Sequence, residues 1–441
     1  MRNVSKRLRI ISGIILLSVS VLAGAGCTKK ENMKETDMIS PIIDQEGADP
    51  YVIRHGDWYY YTKTTGSNIT LWRSESLTGI SAGESKVLYE PSSELADLWA
   101  PEIFWLDDAW YIYFAARTPG MEIHVMYALV NKSEDPFAGE WTCQPVKGMD
   151  DKFAIDGTVL DLPSGRYFIW SGWEGSVNVR QDIYLAEMIS PTEIKKEKIL
   201  LSKPEYDWEM IGNPLVNEGP EILICKDTIN LVYSASGSWT DDYCLGILTA
   251  PIDADVKSPE SWMKKDTPVM SKTNGVPGPG HNCFTVSADG SSTIIVYHAA
   301  RWQEAGWSRS VRYGYVEFDD RGQIKDMEPA APDTLLKAPA GEKTRYICSQ
   351  DHIRLGESIE IPKKGCVDLH VYAKADQFLD DQFVTFMELT INGQEYRASV
   401  YPSEYYQPVS FRVELTEDIN TLTVDSETGT EDFEIDRIEI Q

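Results

Sequence analysis

Short runs of aromatic and β-branched residues, separated by Gly, Asp, Asn and Pro, recur along most of the chain. Helical periodicity is scarce, so the pattern predicts an all-β protein. Five units share one order: a polar residue, an apolar strand, a turn rich in Asp or Gly, and a second strand with aromatics. They begin near Ala48, Trp99, Ala154, Asn217 and Gly280. Because the units recur every ~50–60 residues, we predict a five-bladed β-propeller over residues 45–330 rather than a solenoid.

The pattern changes after the fifth unit. All 13 Trp lie at or before Trp307, and from about Arg345 polar and apolar residues alternate. The intervening stretch is rich in Pro and Ala. We therefore predict a linker over residues 331–344 and a small C-terminal β-sandwich over residues 345–441.

The N-terminus has the pattern of an export signal. Basic residues precede an apolar run from Ile10 to Ala23, and "LAGAGC" ends at Cys27. This resembles a bacterial lipoprotein signal, which predicts a signal peptide over residues 1–27, a lipid on Cys27, and a polar tether over residues 28–44. An ordinary secretory signal is the alternative, and the apolar run is short for a transmembrane helix. We expect an exported protein held at the bacterial membrane by its lipid.

Composition narrows the range of partners. The 441-residue chain carries a formal net charge of −28, which argues against binding nucleic acid or anionic lipid through general electrostatics. Neutral polysaccharides remain as partners, and the flat apolar faces of 13 Trp and 22 Tyr suit sugars. The six Cys after Cys27 show no CxxC spacing, which argues against a zinc site. One candidate disulfide joins Cys225 and Cys244.

Polar residues stand at the head of the first strand in four of the units. In a propeller this strand is innermost, so Asp49, Asp156, Glu218 and His281 should meet at the mouth of the central channel. Inverting glycosidases need a carboxylic acid and an ionised carboxylate ~6.5–9.5 Å apart. A third carboxylate nearby would raise the pKa of the acid by like-charge repulsion. Glu221 is predicted to turn away from the axis, because side chains alternate along a strand.

Five short motifs occur in a characteristic order. Residues from about Gly47 to Gln323 resemble glycoside hydrolase family 43, five-bladed propellers that include α-L-arabinofuranosidases, β-xylosidases and arabinanases. The matching motifs are Asp-Pro at 49–50, "WAPEI" at 99–103, "IDGTVL" at 155–160, "EGPEI" at 218–222 and "GPGHN" at 278–282.

The resemblance implies a role for each carboxylate. Asp49 matches the general base that activates water, Asp156 the residue that orients the acid and tunes its pKa, and Glu218 the general acid. Arg309 matches an arginine near the catalytic centre, with Arg312 as a rival.

The resemblance also implies binding residues. Trp99 and Trp173 would line the sugar pocket, with packing as the alternative for each. His281 resembles an axial histidine that binds calcium, largely through waters, in many members. Two departures leave the substrate open: Ala48 stands where many members have His, and Gly157 where many have Pro.

Together these features predict an inverting glycosidase that releases α-L-arabinofuranosyl residues from plant hemicellulose or pectin side chains. Loops at 237–243 and 301–310 could close one end of a cleft and favour exo action. A β-xylosidase, an endo-arabinanase and a non-catalytic glycan-binding lipoprotein are the alternatives. The expected partner is an arabinose- or xylose-containing polysaccharide or oligosaccharide, the expected state is a monomer, and the chemistry needs no cofactor.

The tail could also contact sugar. "YPSEYY" at 401–406 offers Tyr401, Tyr405 and Tyr406 as an aromatic platform. The alternative is a structural appendage that packs on the propeller.

Overall fold

The computed structural model describes residues 33–91, 95–118, 120–121, 123–149, 152–375, 384–428 and 432–441. The predicted signal peptide and Cys27 lie outside these ranges. Among the described residues, no helix is long and apolar enough to span a membrane.

The chain is all-β, as predicted. In the described ranges, helical structure is confined to three short 3-10 turns at Ile80–Ala82, Asp207–Glu209 and Pro259–Ser261. The first three strands are β1 (Lys34–Thr36), β2 (Met38–Ile39) and β3 (Ile42–Asp44).

Residues 45–315 form successive antiparallel sheets. The first contains β4 (Ala48–His55), β5 (Trp58–Thr64), β6 (Ile69–Ser74) and β7 (Glu84–Tyr89). The second contains β8 (Ala96–Leu106), β9 (Ala109–Arg117), β10 (His124–Asn131) and β11 (Thr142–Pro145). The third contains β12 (Ala154–Leu162), β13 (Gly165–Gly172) and β14 (Arg180–Ser190), with β15 (Glu193–Ile194) and β16 (Ile199–Ser202) on its edge.

Two more sheets follow the same plan. The fourth contains β17 (Leu215–Cys225), β18 (Thr228–Ala235), β19 (Cys244–Pro251) and β20 (Met263–Lys264). The fifth contains β21 (Gly280–Val286), β22 (Thr293–Ala300) and β23 (Arg309–Tyr315), and β3 supplies its fourth strand. A short parallel pairing of β14 with β17 links the third and fourth sheets. The N-terminal strand therefore completes the last sheet of the series.

The first strands of the five sheets pack side by side in cyclic order. Strand β4 contacts β8, β8 contacts β12, β12 contacts β17, β17 contacts β21, and β21 contacts β4 again. Aromatic and branched side chains fill the spaces between neighbouring sheets, as Trp110, Phe114 and Tyr60 do between the first two. The heads of the five inner strands are thereby brought to one place, although they are far apart in sequence.

The rest of the chain forms two further antiparallel sheets. After β24 (Leu336–Lys337) come β25 (Arg345–Ile353), β26 (Ser358–Ile361), β27 (Gly365–Lys374), β28 (Thr385–Ile391), β29 (Gln394–Val400), β30 (Gln407–Leu415), β31 (Asn420–Ser426) and β32 (Glu434–Ile440). One sheet has the order β1-β25-β32-β27-β30 and the other β26-β31-β28-β29. A single hydrophobic cluster, which includes Val371, Leu389 and Ile438, contains side chains of both sheets.

Residues 34–44, assigned to a polar tether from the sequence, are instead built into three sheets. Strand β1 pairs with β25 in the tail, β2 with β24 in the linker, and β3 with β23. Ile39, Ile42 and Ile43 are buried, so apolar side chains hold the segment in place.

The candidate disulfide is wrong. Cys225 ends β17 and Cys244 begins β19, and strand β18 lies between these two strands. All six described cysteines are unpaired.

Candidate active site

A cavity of about 460 Å³ opens where the heads of the inner strands meet. Each inner strand carries a residue with a left-handed backbone at the corresponding point, next to a shift in strand register. Such bulges bend a strand and redirect its side chains. The five positions and their φ angles are Asp49 (54°), Ala100 (45°), Asp156 (55°), Gly219 (53°) and His281 (46°).

Three of the predicted site residues, Asp49, Asp156 and His281, occupy these positions, and Glu218 directly precedes Gly219. Glycine adopts a left-handed φ without a steric cost, which explains Gly219. A Cβ on Gly219 would lie 3.2 Å from His281 Nδ1, so the strand also passes close to its neighbour there. The structure therefore brings Asp49, Asp156, Glu218 and His281 together at the wall of one cavity.

Asp49 lies among hydrogen-bond donors. Thr64 Oγ1 donates to Asp49 Oδ2 at 2.6 Å, and the same hydroxyl accepts from the backbone N–H of Ala100 at 2.7 Å. Asp49 Oδ1 lies 3.3 Å from His281 Nδ1 and 3.6 Å from Arg309 Nη1. These contacts fix the carboxylate at the cavity wall.

Glu218 and Asp156 are joined through one peptide unit. The backbone N–H of Gly219 donates to Asp156 Oδ2 at 2.9 Å, and Tyr243 Oη donates to Glu218 Oε1 at 2.9 Å. Burial raises the pKa of Glu218 to about 7, the Tyr243 hydrogen bond opposes that rise, and the charge of Asp49 adds to it. Burial, followed by the charges of Glu218 and Asp49, also raises the pKa of Asp156.

The cause of the Glu218 shift differs from the sequence prediction. A third carboxylate was expected to raise the pKa by repulsion, but burial has the largest effect and Asp49 supplies the repulsion. Asp156 is only 3% exposed and orients the peptide that follows Glu218. Its contribution to the site is therefore positional.

Two histidines flank Asp49 from the fifth sheet. The backbone N–H of Asp49 donates to His298 Nδ1 at 2.9 Å, so this nitrogen is unprotonated. Burial lowers the pKa of both His281 and His298. Both rings are therefore neutral near pH 7.

The histidines do not form a metal cage with their neighbours. In the described ranges, no group of three or more His, Cys, Asp and Glu side chains could hold a metal ion. Because His281 Nδ1 faces Asp49, this histidine could offer at most its other ring nitrogen to an ion. Calcium at His281 stays a prediction, and no catalytic step below depends on it.

The structure separates the two candidate arginines. Arg309 lines the cavity, and its Nη2 donates to the carbonyl of Ser238 at 2.7 Å. Arg312 lies three residues further along β23, and its Nη2 donates to the carbonyl of Ala330 at 2.8 Å. Only Arg309 can therefore contact a ligand in the cavity.

The two candidate tryptophans have different surroundings. Trp99 lines the cavity, is 38% exposed, and stacks on His124 with ring centroids 3.5 Å apart. Trp173 is not among the residues that line the cavity and stacks on Phe153 at 4.4 Å in a hydrophobic cluster. These contacts favour packing, the alternative given for Trp173, and its place in the sugar pocket stays a prediction.

Sequence reasoning missed several residues of the site. Trp239 and Trp307 form an edge-to-face pair at the mouth of the cavity, where they are 37% and 68% exposed. The loops that carry them were predicted as walls, but not these side chains. Tyr243 and Thr64 were also missed, because only the fold shows which carboxylate each hydroxyl contacts.

Glu221 does not turn away from the axis. The register of β17 shifts between Glu218 and Glu221, which cancels the alternation on which that prediction relied. Thr158 Oγ1 of the neighbouring inner strand donates to Glu221 Oε2 at 3.2 Å. Burial raises the pKa of Glu221 to about 8. Glu221 therefore belongs to a layer beneath the cavity, close to Glu102. The pKa of Glu102 is raised by burial and by the charge of Glu221.

Comparison with known proteins gives the family. The model of the glycosyl hydrolases family 43 matches residues 38–324. An extracellular exo-alpha-(1->5)-L-arabinofuranosidase from Streptomyces chartreusis is 37% identical over 276 residues, which are 60% of this chain and 83% of that protein. A protein of the same name from Streptomyces avermitilis is 33% identical over 321 residues, 69% of this chain and 64% of that protein.

A solved structure agrees with these relatives. The α-L-arabinofuranosidase from Lactobacillus brevis has a TM-score of 0.63 and 32% sequence identity, over 67% of this chain and 98% of its own. The five motifs identified from the sequence all lie within the matched range. The chain therefore belongs to the glycosyl hydrolases of family 43 and is a glycosidase that hydrolyses O-glycosyl bonds.

Proposed function

We propose that this protein releases α-L-arabinofuranosyl residues from plant hemicellulose or pectin side chains, with inversion at the anomeric carbon. The observation that carries the proposal is Glu218, a half-buried glutamic acid whose pKa is raised to about 7 by desolvation and which shares one cavity with Asp49. The arabinofuranosidase names of the relatives support the choice of sugar.

The proposed reaction uses three carboxyl groups. Glu218 donates its proton to the glycosidic oxygen as the bond from this oxygen to the anomeric carbon breaks. Asp49 removes a proton from a water molecule, whose oxygen attacks the anomeric carbon from the opposite face. Asp156 holds the Gly219 peptide and thereby the position of Glu218. The protons balance, because water supplies one to Asp49 while Glu218 gives one to the leaving alcohol.

The surrounding residues suit this division of roles. Thr64 donates to Asp49 Oδ2, and the Arg309 guanidinium lies 3.6 Å from Asp49 Oδ1, so hydrogen-bond donors surround the proposed base. Glu218 accepts a hydrogen bond from Tyr243, and desolvation raises its pKa to about 7, which favours its protonated form. The exposed faces of Trp99, Trp239 and Trp307 offer apolar surface for sugar rings.

We further propose the architecture and location that fit this activity. The cyclic packing of five inner strands supports a five-bladed β-propeller, and the shared core of the two tail sheets supports a β-sandwich. The extracellular names of relatives support export. A lipid on Cys27, a monomeric state and calcium at His281 remain proposals from the sequence.

The activity is tested with α-1,5-arabinotriose, 4-nitrophenyl α-L-arabinofuranoside and 4-nitrophenyl β-xyloside. We expect arabinose from the first two, and NMR of the first-formed sugar should show the inverted anomer. Glu218→Gln should lower kcat for arabinotriose by ~100-fold or more, as expected for loss of a general acid. Glu221→Gln, a matched change three residues away, should keep the activity within a few-fold.

Several results would contradict the proposal. Release of xylose alone would replace the substrate by a β-xyloside. A retained anomer would overturn the mechanism. Binding of arabinan with no hydrolysis of any substrate would favour a non-catalytic glycan-binding protein.

A further inference from the structure

A second cavity, of about 330 Å³, lies between the fifth sheet and the tail. This volume is within the range of about 300–1,000 Å³ that is typical of ligand pockets. The residues that matter here are Asp241, Lys272, Arg301, Trp302, Glu404 and Tyr405. The first four belong to the part matched by the family, and the last two to the tail, so both parts of the chain build the cavity.

The lining suits a neutral, amphipathic ligand. The lining contains two basic residues, Lys272 and Arg301, and two acidic residues, Asp241 and Glu404. Lys272 Nζ also forms an ion pair with Asp242 Oδ1 at 2.7 Å, so no excess of positive charge is left for an anionic ligand. Trp302 and the half-buried Tyr405 supply apolar ring surface beside these polar groups. A sugar presents an apolar ring face and hydroxyl groups that both donate and accept. Mixed apolar and convergent polar lining of this kind is typical of such ligand sites.

The two cavities share their walls. The loop at 237–243 places Ser238 and Trp239 in the first cavity and Asp241 in the second. The loop at 301–310 likewise places Trp307 in the first and Trp302 in the second.

Hydrogen bonds tie these loops together. The backbone N–H of Glu304 donates to Asp241 Oδ1 at 2.8 Å, and Arg301 Nε donates to the carbonyl of Arg309 at 3.1 Å. A ligand in the second cavity would therefore contact the segments that also shape the catalytic cavity.

The three tyrosines of "YPSEYY" do not form one platform. The Tyr401 ring lies under the Arg301 guanidinium at 4.5 Å, and Tyr406 Oη donates to Glu434 Oε2 at 2.9 Å. Tyr405 alone lines the cavity, and its hydroxyl lies 3.4 Å from the position that a Cβ on Gly275 would occupy. The tail therefore presents one tyrosine to a concave site shared with the fifth sheet.

We propose that this second cavity is an accessory binding site for a neutral pentose polysaccharide, with Tyr405 as its aromatic contact. The choice of a pentose chain rests on the proposed function. The site holds the polymer beside the catalytic cavity and thereby raises the local concentration of chain ends. It thus gives the tail a part in substrate binding.

Affinity electrophoresis in gels that contain linear α-1,5-arabinan tests this site without hydrolysis. All variants carry Glu218→Gln to prevent cleavage. Tyr405→Ala changes the part of the cavity lining that the tail supplies, and Gln303→Ala, at another lining residue, changes the part supplied by the loop at 301–310. Each should weaken arabinan binding by about five- to tenfold, the loss that truncation of a well-placed contact causes. Tyr406→Ala, the matched neighbour outside the cavity, should migrate like the parent protein.

Kinetics of the active chain give a second readout. Tyr405→Ala should raise KM for arabinan several-fold more than KM for 4-nitrophenyl α-L-arabinofuranoside, which is too small to reach both cavities. Equal gel retardation of the Tyr405→Ala and Tyr406→Ala proteins would overturn the accessory site. Tyr405-dependent retardation without hydrolysis by the wild type would overturn the proposed function and leave the site standing.

Discussion

The hydroxyl of Tyr243 should control the pH at which Glu218 loses its proton. It donates to Glu218 Oε1 at 2.9 Å and favours the ionised carboxylate, whereas burial favours the neutral acid. A hydrogen bond to a charged group contributes about 1.5–3 kcal/mol. Since one pKa unit corresponds to about 1.36 kcal/mol, Tyr243→Phe should raise the pKa of Glu218 by about one to two units.

The sign of the effect on rate follows from the role of Glu218. A general acid must be protonated, so kcat/KM falls as pH rises through its pKa, which is raised to about 7 in the wild type. With a pKa about one unit higher, the fraction of protonated Glu218 at pH 8 rises from about 10% to about 50%. The high-pH limb of the profile in Tyr243→Phe should therefore move upward by one unit or more.

The assay is kcat/KM for α-1,5-arabinotriose between pH 5 and pH 9. Arabinotriose is used because its leaving alkoxide must be protonated by the general acid, whereas nitrophenolate can leave without a proton. Tyr233→Phe is the matched control, because Tyr233 Oη donates at 2.9 Å to Glu209 Oε1, a buried carboxylate outside the cavity. The control profile should overlie that of the wild type. An unchanged or lowered high-pH limb in Tyr243→Phe would refute the assignment of Glu218 as the acid held by Tyr243.

Two further changes test the inner strands. Gly219→Ala should lower the free energy of unfolding by about 1–2 kcal/mol, because alanine is strained at the left-handed φ of 53°. A further loss of stability should come from the new Cβ, which would lie 3.2 Å from His281 Nδ1. Gly290→Ala is the control in urea unfolding, because Gly290 has a φ of 73° and a Cβ there would have no atom within 4 Å. It therefore measures the cost of the backbone conformation alone. Equal losses of unfolding free energy in the two variants would disprove the effect of the close approach at Gly219. Glu221→Gln should flatten the pH dependence of stability. The folded-state pKa of Glu221 is raised to about 8, so the folded protein binds more protons than the unfolded chain, and the free energy of unfolding falls as pH rises from about 4.5 towards 8. Urea unfolding midpoints of the variant and the wild type at pH 5, 6.5 and 8 test this prediction. Midpoints that change in parallel with pH in the two proteins would contradict it.

Sequence periodicity was sufficient for the strand content and for bringing four distant residues together. It relies on the two-residue repeat of a strand, which holds for most of each inner strand. The prediction for Glu221 was wrong because the repeat breaks between Glu218 and Glu221. Gly219 was the available signal, since a glycine inside a strand often marks a bulge.

Other gaps in the prediction came from contacts that no local pattern encodes. Trp99 and Trp173 look alike in sequence, yet one faces the cavity and the other stacks on Phe153. The hydroxyls of Thr64 and Tyr243 reach carboxylates on other strands of their own sheets. Such pairings depend on the register between strands, which explains why the carboxylates were found and their partners were not.

The repeated bulge explains how one scaffold places carboxyl groups of one cavity in different surroundings. Each inner strand has its left-handed residue at the same height, so the side chains before, at and after this point form successive layers around the axis. Asp49 lies where the Thr64 hydroxyl and the Arg309 guanidinium reach it, whereas Glu218 precedes its bulge and accepts a hydrogen bond from Tyr243. A shift of one residue relative to the bulge therefore places two carboxyl groups at one cavity in unequal surroundings. Unequal surroundings are what an acid and a base at one site require.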